Sequence, residues 1–218
     1  MDIRGTQNGD SIDRIHFERI LWGEGFSRIM GLDEVGRGCL SGPVVAAGVI
    51  FKPGTFVAEI RDSKILSLDE RKKLAVQIKE LAEFWTIQWC SPTEIDELNI
   101  LHASLKAMDK CSKAHKANPD YLLIDGNRFG STLLPHKCLV KGDDRSMSIA
   151  AASIIAKVHR DEWMIEQHEE YPYFGWDTNV GYPTEKHFDG LKKHGITKLH
   201  RRSFRLRTTK KFKKGQQR

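Results

Sequence analysis

The chain has 218 residues, of which 39% are hydrophobic and 29% charged, and its formal net charge is +6 at pH 7. This composition is typical of a soluble globular protein, and the length suits one domain with a large core. No stretch approaches the roughly 20 apolar residues of a membrane-spanning helix, and residues 1–8 lack the apolar core of a signal peptide. We therefore expect a cytoplasmic monomer with no membrane partner.

The positive charge is concentrated at the C-terminus. Nine Lys or Arg and no acidic residue lie between Arg201 and Arg218, so the rest of the chain carries 26 basic and 29 acidic residues. A basic tail suits contact with phosphate backbones, although it is also typical of a solvated chain end. We expect a polar leader over 1–10, one domain over 11–204 and a flexible basic tail over 205–218.

Hydrophobic periodicity and capping signals predict helices that alternate with strands. The first half of the chain gives, in order, a helix over 11–25, strands over 28–32 and 44–51, a helix over 68–81 and a strand over 84–90. The second half gives a helix from 92 towards 116, strands over 121–124 and 137–140, a long helix over 147–170 and, after a loop-rich stretch, a short helix from 184 to near 195. This order predicts an α/β fold with antiparallel leading strands and helices across its faces.

Four carboxylates fall at points where this scaffold could gather them. Asp33 and Glu34 follow the first strand, Asp125 ends a later strand, and Asp161 lies on the long helix. Adjacent carboxylates repel one another unless a cation lies between them, and a divalent metal ion is the usual one. The pattern predicts a metal-dependent enzyme that acts on phosphates.

Each of these features also has a simpler interpretation. An adjacent Asp and Glu are more often a solvated surface pair, Asp125-Gly126 is typical of a hairpin turn, and Asp161 can be no more than an ion pair with Lys157. The glycine loop over 36–42 can be a turn that needs glycine only for its geometry. Its spacing is one residue too long for a dinucleotide-binding fingerprint, and no G-K-[ST] of a P-loop occurs.

Seven ordered segments carry a more specific pattern. They are GLDEVGRGCLSGPVVAA at 31–47, DSK at 62–64, LIDGN at 123–127, VKGD at 140–143, AASIIAKVHRD at 151–161, GYPT at 181–184 and HRRSF at 200–204. Together they resemble the type 2 ribonuclease H family, specifically its bacterial ribonuclease HII branch. The resemblance covers nearly the whole chain, from Phe17 to Phe204.

The resemblance implies an RNase H-like fold, in which helices flank a central mixed β-sheet and a helical segment follows at the C-terminus. It places Asp33, Glu34, Asp125 and Asp161 on the four catalytic and metal-binding positions. The metal would be Mg²⁺ or Mn²⁺, with two ions in the reactive complex.

Substrate contacts are also implied by the resemblance. The backbone of Gly36-Arg37-Gly38, assisted by Tyr182, would approach the ribose 2'-hydroxyl, the group that distinguishes RNA from DNA. Glycines suit this role because they let the main chain come within hydrogen-bonding distance. Further candidates for positioning phosphate or substrate, beside Arg37, are Lys64, Lys141 and Ser153.

The implied reaction is hydrolysis of the phosphodiester on the 5' side of a ribonucleotide. The substrates would be RNA/DNA hybrids and duplex DNA with embedded ribonucleotides, and the products would carry 3'-hydroxyl and 5'-phosphate ends. The cellular role would be removal of ribonucleotides from DNA. One alternative is a binding module that grips such duplexes without cutting, although all four carboxylates are present. Another is a type 3 ribonuclease H, but about 27 residues before the first strand are too few for its extra N-terminal domain.

Overall fold

Five strands form one mixed β-sheet in the computed structural model, which describes residues 13–60, 66–130 and 132–206. The strands are β1 (Ile29–Val35), β2 (Val44–Ile50), β3 (Phe84–Cys90), β4 (Tyr121–Asp125) and β5 (His136–Leu139). Across the sheet they lie in the order β3-β2-β1-β4-β5. β1, β2 and β3 pair antiparallel, whereas β4 is parallel to β1 and β5 to β4. The predicted mixed sheet with antiparallel leading strands is confirmed.

Seven α-helices accompany the sheet in the described part of the chain. They are α1 (His16–Gly23), α2 (Leu68–Leu81), α3 (Pro92–Leu98), α4 (Ile100–Ser112), α5 (Met147–Glu170), α6 (Trp176–Asn179) and α7 (Glu185–His194). A 3-10 turn, Gly142–Asp144, precedes α5.

Local sequence signals explain several of the helix starts. Ser67 caps α2 and Ser91 caps α3, and Glu70 and Glu94 complete the two capping boxes. The hydroxyl of Ser146 accepts a hydrogen bond at the start of α5. Because each cap satisfies amide groups that have no partner inside the helix, it fixes where the helix begins.

Helices cover both faces of the sheet. α2 and α5 pack on one face, and α4 packs on the other. Small residues let α5 approach the sheet closely: a β-carbon added to Gly31 of β1 would lie 2.1 Å from the carbonyl carbon of Ser148. This close packing lays α5 along the strand that carries Asp33.

β1 and the helix predicted after residue 92 differ most clearly from their predicted bounds. β1 continues to Val35, beyond the expected end at Leu32, because Asp33 and Glu34 still pair with β2. The helix predicted from 92 towards 116 is divided into α3 and α4. Asn99 causes the break, since its backbone has a positive φ of 64° while its side chain caps α4.

Further differences from the prediction concern the first helix and the stretch before α7. α1 begins at His16, later than the expected start near 11, and the short helix α6 occupies part of the stretch expected to be loop. The leader expected over 1–10, all but the first two residues of the tail expected over 205–218, and Lys64 lie outside the described residues. None of the described helices has the length and apolar character to cross a membrane.

Candidate active site

Three carboxylates meet at the carboxyl ends of the neighbouring strands β1 and β4. We call Asp33, Glu34 and Asp125 the acidic corner. β1 carries the first two, and β4, its parallel neighbour, ends on the third. The pairing of β1 with β4 runs as far as Leu32 and Ile124, so Asp33 and Asp125 occupy the next positions on adjacent strands. Parallel strands that end together therefore bring these side chains to one place.

The acidic corner is electrostatically unfavourable without a cation. Burial raises the pKa of Asp33 well above its usual range, a hydrogen bond with Ser153 of α5 opposes that rise, and the charges of Asp125 and Glu34 add to it. The three carboxylates are thus close enough to repel one another. A positive ion among them would relieve both the repulsion and the cost of burial.

Glu34 has one paired and one unpaired carboxylate oxygen. Its Oε1 accepts a hydrogen bond from Nη1 of Arg37 at 2.9 Å. Its Oε2 is buried and has no hydrogen-bond partner among the described residues. Burial raises the pKa of Glu34, the Arg37 guanidinium lowers it, and Asp125 raises it further. A buried carboxylate oxygen without a partner is costly, so Oε2 is a natural cation ligand.

A groove of about 210 Å³ opens beside the acidic corner, on the side of α4. Leu101, Leu105 and Met108 of α4 form its apolar wall, and Asn127 and Arg128 contribute polar groups from the loop after β4. The groove also reaches the side chains of Glu34 and Asp125. A large substrate can therefore reach the carboxylates from this side.

Asp125 is fixed by the turn that follows β5. Its Oδ1 accepts a hydrogen bond from the amide of Gly142 at 2.7 Å. A β-carbon at Gly142 would lie 2.7 Å from Cδ1 of Ile149 and 3.2 Å from Oδ1 of Asp125, so glycine leaves room for this close approach. Lys141, one of the predicted substrate-binding residues, precedes this glycine with a left-handed φ of 55° and an exposed side chain. The turn thus places an exposed lysine one residue from the amide that orients Asp125.

Asp161 lies on α5, where its Oδ1 accepts a hydrogen bond from Nζ of Lys157 at 2.8 Å. The same Nζ is 5.7 Å from the ring centre of Tyr182. The Tyr182 ring in turn lies against the glycine loop, because a β-carbon on Gly38 would be 3.8 Å from its Cε1. Burial raises the pKa of Tyr182, and the charge of Asp161 and a hydrogen bond with Cys39 contribute to the rise. Lys157 and Tyr182 therefore form a chain of contacts between Asp161 and the glycine loop.

The four predicted carboxylates do not form a preassembled metal cage. In the parts of the chain that the structure describes, no group of three or more His, Cys, Asp or Glu side chains has the arrangement of a metal site. Glu34 is paired with Arg37 and Asp161 with Lys157, so two of the four engage basic side chains instead. The donor chemistry nevertheless fits a hard divalent cation, since it consists of carboxylate oxygens and includes the unpartnered Oε2 of Glu34.

The glycine loop is shaped by a buried arginine. Gly36 has a φ of +93°, and a β-carbon there would lie 2.2 Å from Nε of Arg160. The guanidinium of Arg160 donates to the carbonyl groups of Ser41, Pro43 and Val180 at 2.8–3.1 Å. Arg160 thus joins the glycine loop to the segment that leads to Tyr182.

A second buried arginine holds the same loop from the opposite end of the sequence. Arg201 donates to the carbonyl groups of Arg37, Gly42 and Pro43 at 3.0–3.2 Å. Burial lowers its pKa to about 10, which still leaves the guanidinium charged at neutral pH. This role was not predicted from the sequence for either arginine. The available signal was the presence of Arg160 and Arg201 in the matched segments at 151–161 and 200–204.

A family model described as Ribonuclease HII matches residues 30–207. The chain belongs to the ribonuclease HII family. It is therefore a ribonuclease H, a hydrolase, as the resemblance predicted, and the type 3 alternative loses its support. A curated ribonuclease HII from Salinibacter ruber is 49% identical over 193 residues, which cover 87% of this chain and 96% of that protein.

Two solved structures share the fold of this ribonuclease HII family member. The ribonuclease H2 from Pyrococcus horikoshii OT3 aligns with a TM-score of 0.71 at 22% identity, over 82% of this chain and 94% of that one. Bst-RNase HIII in complex with Mn²⁺ aligns with a TM-score of 0.58 at 20% identity, over 86% and 71% of the two chains. The predicted RNase H-like fold is confirmed.

Proposed function

We propose that this ribonuclease H cuts RNA/DNA hybrids and duplex DNA with embedded ribonucleotides, on the 5' side of the ribonucleotide. The products would carry 3'-hydroxyl and 5'-phosphate ends, and the cellular role would be removal of ribonucleotides from DNA in the cytoplasm. The observation that carries the proposal is the burial of Asp33 beside Glu34 and Asp125, next to a glycine loop held by two buried arginines.

The proposed cofactor is Mg²⁺ or Mn²⁺, held as a pair by Asp33, Glu34, Asp125 and Asp161. When bound, such ions supply an activated water and stabilise the departing 3'-oxygen. Support comes from the raised pKa of Asp33 and of Glu34, since each carboxylate lacks enough positive charge nearby. The Mn²⁺ in the related Bst-RNase HIII is consistent with the same choice of cation.

The proposed ribonucleotide sensor combines the backbone of Gly36-Arg37-Gly38 with the phenol of Tyr182. Glycine at these positions lets peptide groups come within hydrogen-bonding distance of a 2'-hydroxyl. The half-exposed Tyr182 ring lies beside Gly38, so both groups can meet the same sugar. Because buried arginines hold the loop carbonyls, the loop needs little rearrangement on binding, which favours both affinity and selectivity.

The remaining candidates have different proposed roles. Arg37 has a half-exposed side chain and Lys141 an exposed one, so both suit contact with substrate phosphates. Ser153 hydrogen-bonds with Asp33, which suits orientation of that carboxylate better than direct contact with phosphate. Lys64 keeps its proposed role in phosphate positioning on the strength of its motif alone.

The test is a DNA duplex with one embedded ribonucleotide, offered with Mg²⁺, with Mn²⁺ and with a chelator. We expect metal-dependent cutting 5' of the ribonucleotide by the wild type, no cutting of an all-DNA duplex, and a loss of at least about a hundredfold in Asp33→Asn. Asp109→Asn is the matched control, because Asp109 pairs with Lys113 on the surface of α4 and has no contact with the acidic corner or the glycine loop among the described interactions. Tight binding without any cutting would favour the binding-module alternative, and full activity of Asp33→Asn would overturn the proposed site.

A further inference from the structure

Two buried histidines connect the glycine loop to the turn that carries Tyr182. His187 lies in the first turn of α7, and its Nε2 is 3.1 Å from Nε2 of His200. The backbone of His200 forms a β-bridge with Ser41, which belongs to the glycine loop. At the other end, Nδ1 of His187 is 2.9 Å from the carbonyl oxygen of Tyr182. We call His187 and His200 the histidine strut.

The partners of the histidine strut determine where its protons lie. The backbone amide of Thr197 donates to Nδ1 of His200 at 3.0 Å, so the proton of a neutral His200 is on Nε2. That Nε2–H donates to Nε2 of His187, which also accepts from the indole of Trp176 at 3.3 Å. His187 therefore carries its proton on Nδ1 and donates it to the Tyr182 carbonyl. One consistent chain of donors runs from Thr197 to Tyr182.

The surroundings make this chain of hydrogen bonds sensitive to change. His187 and His200 are almost fully buried, and the rings of Phe174 and Trp176 pack against both. Polar groups in such a place are stable only when each has a partner, and all four ring nitrogens have one. If either ring took up a second proton, its acceptor nitrogen would become a donor and would face another hydrogen-bond donor.

The strut acts on the buried side of the Tyr182 turn. Asn179 holds the amides of Gly181 and Tyr182, whereas the carbonyl of Tyr182 contacts His187 of the strut and also accepts from the amide of Thr184. Fixing that carbonyl fixes the peptide plane, and with it the direction in which the phenol leaves the turn. The phenol ring then lies beside Gly38, where a β-carbon would be 3.8 Å from its Cε1.

We propose that the histidine strut is a positioning device that holds Tyr182 over the glycine loop and so sets how strongly the enzyme favours a ribonucleotide over a deoxyribonucleotide. This inference rests on the proposed function, in which Tyr182 and the glycine loop contact the 2'-hydroxyl. Neither histidine touches the substrate, so both are positioning residues.

The test compares His187→Leu with the wild type on the duplex that carries one ribonucleotide. We expect KM to rise about tenfold, as is usual when a supporting partner of a functional group is removed, with a smaller change in kcat. His194→Leu is the matched control, because His194 is an exposed histidine at the end of the same helix and stacks only on Tyr173. An unchanged KM in His187→Leu overturns the proposal.

A double-mutant cycle separates a positioning role from general damage. If His187 acts through the Tyr182 phenol, adding His187→Leu to Tyr182→Ala leaves KM at the value of Tyr182→Ala alone. If the two substitutions raised KM independently, so that their fold-changes multiplied in the double variant, the proposal would be overturned. If the wild type cuts no ribonucleotide-containing duplex, or if Tyr182→Ala has a normal KM, the proposed function itself is wrong. The proposal for the histidine strut is then wrong as well, because it depends on that function.

A measurement on the wild type keeps the proposal testable even if His187→Leu does not fold. Imidazole ¹⁵N chemical shifts report which ring nitrogen carries the proton. We expect the proton on Nδ1 for His187 and on Nε2 for His200 at neutral pH. The opposite tautomer at either ring would mean that the donor chain to Tyr182 does not exist. His200→Asn, which keeps an acceptor for Thr197 but removes the donor to His187, should raise KM in the same direction.

Discussion

Gly36 lies directly against Arg160: a β-carbon at this glycine would be 2.2 Å from Nε of the arginine. Gly36→Ala should therefore displace a fully buried guanidinium that binds three carbonyl groups, and it should also strain a backbone with a φ of +93°. We expect a loss of about 2–4 kcal/mol in the free energy of unfolding, measured by urea denaturation.

Gly38→Ala is the matched control for Gly36→Ala. A β-carbon on Gly38 would meet only the Tyr182 ring, at an ordinary contact distance of 3.8 Å. The free energy of unfolding should change by less than about 0.5 kcal/mol, while KM for a ribonucleotide-containing duplex should rise if the loop backbone approaches the sugar. Equal stability losses in the two variants would contradict this account of the loop.

Asp33→Asn should stabilise the metal-free protein while it abolishes activity. The pKa of Asp33 is raised in the folded state by burial, so its ionisation costs stability as the pH rises above the unfolded value of 3.8. A neutral amide removes that cost and the repulsion from Asp125 and Glu34. We expect a higher free energy of unfolding for Asp33→Asn than for the wild type at pH 7, measured by urea denaturation with a chelator present.

Asp96→Asn should have the opposite effect on stability. Burial would raise the pKa of Asp96, but hydrogen bonds from Ser203 and Arg202 outweigh it and lower the pKa. Ionised Asp96 therefore stabilises the fold, and its amide variant should be less stable than the wild type at pH 7. If Asp33→Asn lost stability as Asp96→Asn does, favourable contacts in the folded state would have to outweigh the cost of burying the Asp33 carboxylate.

Divalent cations should stabilise the wild type against unfolding. A ligand that binds only the folded state at 100 times its Kd contributes about 2.7 kcal/mol. Thermal unfolding with increasing Mg²⁺ or Mn²⁺ should therefore show a rising Tm for the wild type and a much smaller rise for Asp33→Asn and Glu34→Gln. Glu94→Gln, which alters a carboxylate bound to Lys106 instead, should respond like the wild type. Identical shifts in all four proteins would mean that the ions bind elsewhere.

The histidine strut should make the fold less stable in acid. Burial, with the nearby His187, lowers the pKa of His200 from 6.5 to about 4, so the unfolded chain binds a proton more readily than the folded one. The neutral His200 therefore stabilises the fold fully above pH 6.5. This stabilisation, on the order of 3 kcal/mol, is lost as the pH falls towards 4. The stability difference between the wild type and His200→Asn should therefore shrink between pH 7.5 and pH 4.5. A difference that stays constant would contradict the lowered pKa.

Removal of the residues after Thr209 should reduce the salt dependence of duplex binding. The removed segment contains Lys210, Lys211, Lys213, Lys214 and Arg218. Each phosphate contact that is lost should lower the slope of log K against log salt by about 0.9. Fluorescence anisotropy at several salt concentrations measures that slope, and an unchanged slope would exclude the tail from binding.

The sequence predicted the scaffold well because the signals for its strands and helices are local. Alternating strand residues, capping boxes and a carboxylate at the end of β4 can each be read within a few neighbouring positions. The long helix α5 has the predicted bounds, since an uninterrupted helical pattern rich in alanine leaves no other choice. Asp33 and Asp125 meet because β1 and β4 are parallel neighbours, which their strand character alone does not require.

Long-range polar contacts could not be predicted in the same way. Arg160 and Pro43 are 117 residues apart, and nothing near Arg160 in the sequence says that its guanidinium turns inward to bind carbonyl groups. The break at Asn99 is likewise a tertiary outcome, because apolar spacing continues across it. The ion pair of Asp161 with Lys157, by contrast, is a contact within one helix turn that the sequence does indicate.

The dependence of the glycine loop on Arg160 and Arg201 has a consequence for protein engineering. Residues 36–43 take their shape from guanidiniums that belong to α5 and to the C-terminal part of the chain. Transplanting this short peptide into another scaffold would transfer its amino-acid sequence without its conformation. A transplanted loop would keep its shape only if both arginines, and the backbone that buries them, were transferred with it.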